Sequence, residues 1–404
     1  MAVALMALAS GFGQFGAVAA LGDVARHFGR VVHGTSIADQ AGLSGTELGV
    51  GLAILRLASL GGLPLSALAD RFGRRTLLVT TCAAGLAFTV LAASSPGYWW
   101  FVVIFALGRP LLSATNAVAQ VSAAEETASA DRAKAIALIA AGYGVGTGLI
   151  AVVNGLWGGT LGFRGLFALS VVPLAAIFVL RRWLVEPGRF AVAAAAVEHP
   201  VPVLGAIGPR FRRRLVIVSS IAFAVGVVTG PANSFIFVYA RNVLHVSGDA
   251  TAAMVVVASL FGLSGLLLGR FLADRVGRRP TGALAMLAMA LTGILTYGGS
   301  RTALFVGYEL AVFCASTFAP AAGALANELF PTSVRASVAG WNVAASVVGA
   351  VVGLLAFGAI ADVGNRFAFG AAVTFCPVIL ATALFALLPE TKGREPEDLW
   401  PDVA

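Results

Sequence analysis

The chain has 404 residues, 59% of them hydrophobic and 11% charged, with a mean hydropathy of +0.91 and a formal net charge of +8. A soluble domain carries about 25% charged residues, so this chain lacks the charge to cover the surface of a water-soluble enzyme, and its apolar content excludes disorder. Its long unbroken apolar runs do not alternate over ~10-residue strands as a membrane β-barrel does; they imply helices, each needing about 20 residues to cross the hydrocarbon layer.

Twelve spans are predicted in chain order, at 2–22, 46–68, 77–94, 98–122, 133–157, 165–184, 215–240, 251–273, 281–299, 303–326, 337–361 and 367–388. The first lacks a basic n-region and reads as a span rather than a cleaved leader. The loops alternate in charge, with 18 Lys or Arg on one side and 6 on the other. That asymmetry places both termini in the cytoplasm, and the Ala- and Arg-rich, Lys-poor composition suggests a bacterial plasma membrane. Of the 27 basic residues 25 are Arg, and their loop positions make them orientation charge rather than a nucleic-acid surface. The expected organisation is a six-helix bundle over 1–185, a cytoplasmic linker over 186–214, a second bundle over 215–388 and a cytoplasmic tail over 389–404. The linker combines an Ala-rich piece, Pro200 and Pro202, and the Arg210–Arg214 cluster.

Cys82, Cys314 and Cys376 lie scattered inside apolar runs and suggest neither a disulfide framework nor a metal site. His27, His33, His199 and His245 are equally dispersed. The sequence has no H-E-x-x-H, no P-loop and no nucleophile elbow. No enzyme, metal or cofactor is expected.

The two halves repeat. Asp70-Arg71-Phe72-Gly73-Arg74-Arg75 recurs as Asp274-Arg275-Val276-Gly277-Arg278-Arg279 at an offset of 204. Glu125 and Arg132 match Glu328 and Arg335 at an offset of 203, and Glu186 matches Glu390 at 204. Gly61 corresponds to Gly265 and Gly146 to Gly349. Parallel halves with a central site are a secondary-transporter architecture. The expected fold is thus an all-α membrane protein with twelve transmembrane helices in two pseudo-symmetric six-helix bundles.

These paired loops resemble the signature loop of the major facilitator superfamily. Phe330-Pro331-Thr332-Ser333-Val334-Arg335 and Pro389-Glu390-Thr391-Lys392-Gly393 resemble its sugar-porter and metabolite-porter branch. The signature's Gly four residues before Asp is replaced by Ser66 and Arg270. Arg109 matches the membrane-embedded Arg of a second family motif, although Leu112 and Ser113 stand where that motif has Gln and Gly. The Gly-Pro pattern of many antiporters is absent from 141–148. The resemblance implies alternating access, with Asp70, Arg71, Gly73, Arg74, Arg75, Asp274, Arg275, Gly277, Arg278 and Arg279 forming a conformational latch with Glu125, Arg132, Glu328 and Arg335. The plain alternative is orientation charge plus a tight turn.

An ionisable side chain in mid-membrane is costly and marks a functional position. Three stand out: Arg56 in span two, Arg109 in span four and Glu309 in span ten. Helical spacing places Arg109, Ser113, Asn116 and Gln120 on one stripe, and Glu309, Phe313, Ser316 and Pro320 on another. Tyr143, Thr147 and Asn154 share a side of span five, as do Asn342 and Ser346 on span eleven. Gln14 is mid-span one. Span seven is expected to break at Gly230-Pro231, with Asn233 just beyond. Glycines 142, 144, 146 and 148 form two overlapping GxxxG patterns for helix packing.

The expected protein is a secondary active transporter of a small solute (organic anion, sugar or related metabolite), a monomer in the lipid bilayer with a proton as coupling ion. Arg109, with Arg56, would attract the solute and Glu309 would carry the proton; a static Arg–Glu pair is the competing reading. A proton-coupled drug or metabolite exporter and a transporter-like receptor are the alternatives.

Overall fold

The computed structural model describes all residues except 33–36, 128–131, 185–203, 206, 364–365 and 394–404, and the backbone alone at 70, 124–126, 132–133 and 332–333. The helices are α1 (Ala2–Ala19), α2 (Gly45–Ala58), α3 (Arg74–Ala92), α4 (Tyr98–Glu126), α5 (Arg132–Ala168), α6 (Val171–Leu180), α7 (Pro209–Ser234), α8 (Gly248–Arg275), α9 (Arg278–Thr296), α10 (Arg301–Glu328), α11 (Thr332–Asp362) and α12 (Phe367–Ala381). Among the described residues eleven helical stretches are long and apolar enough to cross a membrane, and Val171–Leu180 is a shorter apolar helix. No strand occurs among the described residues. Between its end turns a helix satisfies its backbone N–H groups internally, which lipid requires.

Three spans depart from the expected ones. The α5 stretch contains Gly162 at φ +59° and ψ 179°, where the chain reverses. The sixth span therefore begins at Phe163 and is broken by a turn before Val171. The second continues past Ala58 through a 3-10 turn, Ser59–Gly61, into Gly62–Ala67. Span seven does not break at Gly230-Pro231. Pro231 sits inside α7, and the helix ends at Ser234, followed by Ile236–Val238 and a π turn at Tyr239–Val243. A proline removes one intrahelical bond, whereas the later break is fixed by an aromatic cluster: Tyr239, Tyr297, Phe357 and Phe367 have ring centroids 4.8–5.9 Å apart.

The chain divides into two units, one of Met1–Arg30, Ile54–Pro200 and Ser247–Ala252, the other of Val31–Ala53, Val201–Val246 and Ala253–Ala404. Close backbone approach explains the two short stretches that leave their sequence halves. Within the second unit a Cβ at Gly49 would sit 2.7 Å from the Leu354 carbonyl oxygen, and within the first a Cβ at Gly155 would sit 2.6 Å from Ala252 Cβ.

Each unit shows the same helix pairing. In the first, Gly146 of α5 lies on the Leu8 carbonyl of α1; in the second, Gly349 of α11 lies on the Phe223 carbonyl of α7. Neither site has room for a Cβ. Likewise Gly61 packs on Pro110 of α4, and Gly265 on Phe313 of α10. The repeated glycines thus carry equivalent contacts in both bundles. Gly142 uses the α1 contact too, against Ala4, but no described atom lies within 4 Å of a Cβ at Gly144 or Gly148. Only one of the two overlapping GxxxG patterns is a packing face.

Candidate functional site

In the first unit, α1, α4 and α5 build a polar chain inside apolar helices. Ser10 Oγ donates to the Leu112 carbonyl (2.8 Å), and Gln14 Nε2 donates to Ser10 Oγ (2.9 Å). The Gln14 carbonyl in turn accepts from Arg109 Nη1 at 2.8 Å. Arg109 is 9% exposed, and its Nε is buried with no hydrogen-bond partner. Gly62, six residues past Arg56, packs on Ser113, one turn past Arg109, and Gly11 of α1 packs on the Tyr143 carbonyl of α5. Arg109, Arg56, Gln14 and Tyr143 therefore lie in one region of the first unit. Asn116, two turns further along α4, has its Oδ1 buried without a partner.

Other predicted residues are used differently. Gln120 is exposed. Asn154 donates to the Ala19 carbonyl at 2.7 Å, fastening α5 to α1. Asn342 accepts from Ser219 Oγ at 3.1 Å, joining α11 to α7. Both amides sit on helix-packing faces, where a buried polar group must find a partner.

In the second unit, α7, α9 and α10 enclose a cavity of about 130 Å³ whose polar lining is Thr229, Asn233, Thr296, Tyr308 and Ser316. Asn233 Nδ2 donates to the Thr229 carbonyl at 2.9 Å. Glu309 lies on the next face of α10. It borders an apolar groove formed with Ala253, Met254, Val257 and Phe261 of α8. It is 8% exposed, and its Oε2 has no hydrogen-bond partner. Neither Arg109 nor Glu309 enters an ion pair among the described residues, so a backbone carbonyl, not a carboxylate, holds Arg109. Ser10, Thr229, Thr296 and Tyr308 were not singled out from sequence, because lone hydroxyls in apolar helices usually bond their own backbone.

At the Arg-rich end, Gly73 and Gly277 adopt φ +90° and +128°, which L side chains disfavour. Arg278 pairs with Glu328 (3.3 Å) and Asp274 (3.6 Å). Among the described residues Glu390 pairs with no arginine side chain. Its carboxylate accepts from the backbone N–H of Arg278 and Arg279, both at 3.0 Å, capping α9. Lys392 Nζ donates to the Arg275 carbonyl (2.6 Å), and Arg335 to the Phe330 carbonyl (3.2 Å). Arg275 itself lies 4.7 Å from the Phe271 ring centroid. In the first loop, Arg75 donates to the Arg181 carbonyl at 3.0 Å, Arg71 stands over Phe72, and Arg74 is buried. The side chains of Asp70, Glu125 and Arg132, and all of Glu186, lie outside the described residues.

The family model of the Major Facilitator Superfamily matches residues 3–295 and 233–401. The chain belongs to the Major Facilitator Superfamily. It is 30% identical to a probable 4-methylmuconolactone transporter of Cupriavidus pinatubonensis, over 89% of this chain and 85% of the relative. It is 26% identical to a putative metabolite transport protein of Haemophilus influenzae, over 83% and 85%. Its fold matches the inward-open xylose transporter XylE from E. coli with a TM-score of 0.77 at 20% identity, covering 98% of this chain and 97% of the other. This superfamily member is a multi-pass membrane transporter, not an enzyme.

Proposed function

We propose that the protein moves a small organic metabolite across the plasma membrane by alternating access, coupled to a proton, with both termini in the cytoplasm. The observation that carries this reading is the pair of polar clusters inside otherwise apolar spans: Arg56 and Arg109 in the first unit, and the unpartnered Glu309 carboxyl in the second. Lipid exacts several kcal/mol for each such group, so these positions serve a task. Arg109 and Arg56 hold the solute, and Glu309 takes up and releases the proton. The curated relatives, named for a lactone and for metabolites, agree with a small organic solute.

The duplicated loops brace the end of each bundle so that it moves as one body. In the second unit Arg278, Glu328 and Glu390 tie α8, α9 and α10 to the segment after α12. Solute counterflow in proteoliposomes, followed with and without an imposed pH gradient, tests the reading. Exchange without a gradient and accumulation with one are expected. Exchange that ignores the gradient would remove the proton from the mechanism.

A further inference from the structure

The middle of the first half's spans holds two cations, the buried Arg109 and the half-buried Arg56, and no acid. Residues 1–22, 48–69, 71–124 and 132–184 contain no Asp or Glu, so no carboxylate of that half can reach the middle of the membrane. Arg109 is nine-tenths buried, its Nη1 spent on Gln14 and its Nε unpartnered. Burying one guanidinium costs several kcal/mol, and two of like sign repel more strongly in a dry site than in water.

Packing keeps the two together. A Cβ at Gly61 would lie 3.0 Å from Pro110 Cβ, and one at Gly62 would lie 2.7 Å from Ser113 Cβ. The α4 turn that follows Arg109 is therefore pressed against the chain just beyond Arg56. Gln14 is itself fixed by Ser10, so the guanidinium has a set direction. This is a prepared positive site, and what it lacks is an anion.

We propose that Arg56 and Arg109 bind the carboxylate of a small organic anion, and that this anion is the transported solute. The second clause rests on the transporter reading above. With Nη1 occupied, Arg109 offers one free edge carrying Nε, and a guanidinium edge matches the two oxygens of one carboxylate. A sugar offers hydroxyls but no charge, and leaves both cations uncompensated. A phosphate ester, whose dianion would compensate both cations, is the competitor the test must reject.

The test uses the full-length protein. Thermal stabilisation in detergent and counterflow in proteoliposomes are measured with lactate and benzoate, with benzamide as neutral isostere, with phenyl phosphate and with glucose. A carboxylate is expected to stabilise the protein saturably and to exchange, with its amide about tenfold weaker or worse. Arg109→Gln should weaken carboxylate binding ~30-fold or more. Arg109→Lys, which keeps the charge but loses the fork, should be folded and intermediate, and Arg56→Gln should lose about tenfold. Exchange of glucose, benzamide or phenyl phosphate at least as well as of the carboxylates would overturn the anion site while leaving the transporter reading intact. So would carboxylate affinity unchanged in both Gln variants. Arginine-dependent stabilisation by a carboxylate with no exchange of any solute would keep the site and overturn the transporter reading. No stabilisation and no exchange by either carboxylate would overturn the proposal.

Discussion

Glu390 shows how one carboxylate organises a helix end. It accepts four backbone N–H groups, from Arg278, Arg279, Thr391 and Lys392, at 2.9–3.0 Å. Two of these are the first amides of α9, which have no intrahelical acceptor. Gly277 makes the approach possible, because a Cβ there would lie 2.6 Å from Glu390 Oε2. Burial pushes the carboxyl up, but the four amides prevail and hold it below its ordinary 4.5. A lowered folded-state value means that the stabilisation is complete above the ordinary value and fades as pH falls through the lowered one. Glu390→Gln keeps the shape and loses the charge, and should cost about 1–2 kcal/mol at neutral pH. Thermal unfolding in detergent checks it. The gap between Glu390→Gln and the unaltered protein should narrow as the pH is taken below 4.5. The sequence named Glu390 through the repeat with Glu186, but not the amides that it caps. Backbone amides leave no mark in a sequence, so that part could not be read.

At the scale of elements, periodicity located the helices and small residues located their contacts, but not which glycines are used. Gly144 and Gly146 belong to equivalent patterns, yet only Gly146 meets a backbone, at Leu8. The choice depends on which face α1 occupies, a tertiary fact. Gly146→Ala should destabilise the first unit by about 1–3 kcal/mol through overpacking, whereas Gly144→Ala should be neutral or stabilising by about 0.5–1 kcal/mol from helix propensity. Thermal unfolding of the two variants side by side distinguishes the faces. The start of α2 gives a second case. Ser44 and Glu47 form a local capping box, with Ser44 N to Glu47 Oε2 and Glu47 N to Ser44 Oγ both 3.1 Å. Such a box can be recognised from spacing. Asp362 cannot: it comes from the far end of α11 and accepts from Gly45 N, Thr46 N and Thr46 Oγ1. Asp362→Ala should cost about 1–2 kcal/mol and raise hydrogen exchange at the amides of Gly45 and Thr46, while the Ser44–Glu47 box persists. Unchanged protection there would mean that the local box alone holds the helix end.

For the molecule as a whole, the internal repeat was the most legible feature, because duplicated charged loops and glycines survive as letters at a fixed offset. Their equivalence in the structure is mechanical, Gly146 on α1 and Gly349 on α7. The chemistry is not duplicated. The first half has Arg56 and Arg109 without an acid in the middle of its spans, and the second has Glu309 as the one carboxylate well inside a span. Proton coupling needs a group that changes charge within the membrane, and Glu309 borders an apolar groove with one oxygen unpartnered. If it carries the proton, its loss must uncouple transport without stopping exchange. A symporter moving one proton per solute monoanion is electroneutral, so it can accumulate solute about tenfold per unit of pH gradient. Glu309→Gln should abolish that accumulation in proteoliposomes and retain counterflow at equal pH, since exchange requires no net proton movement. Accumulation that still follows the gradient in Glu309→Gln would assign the coupling to another group.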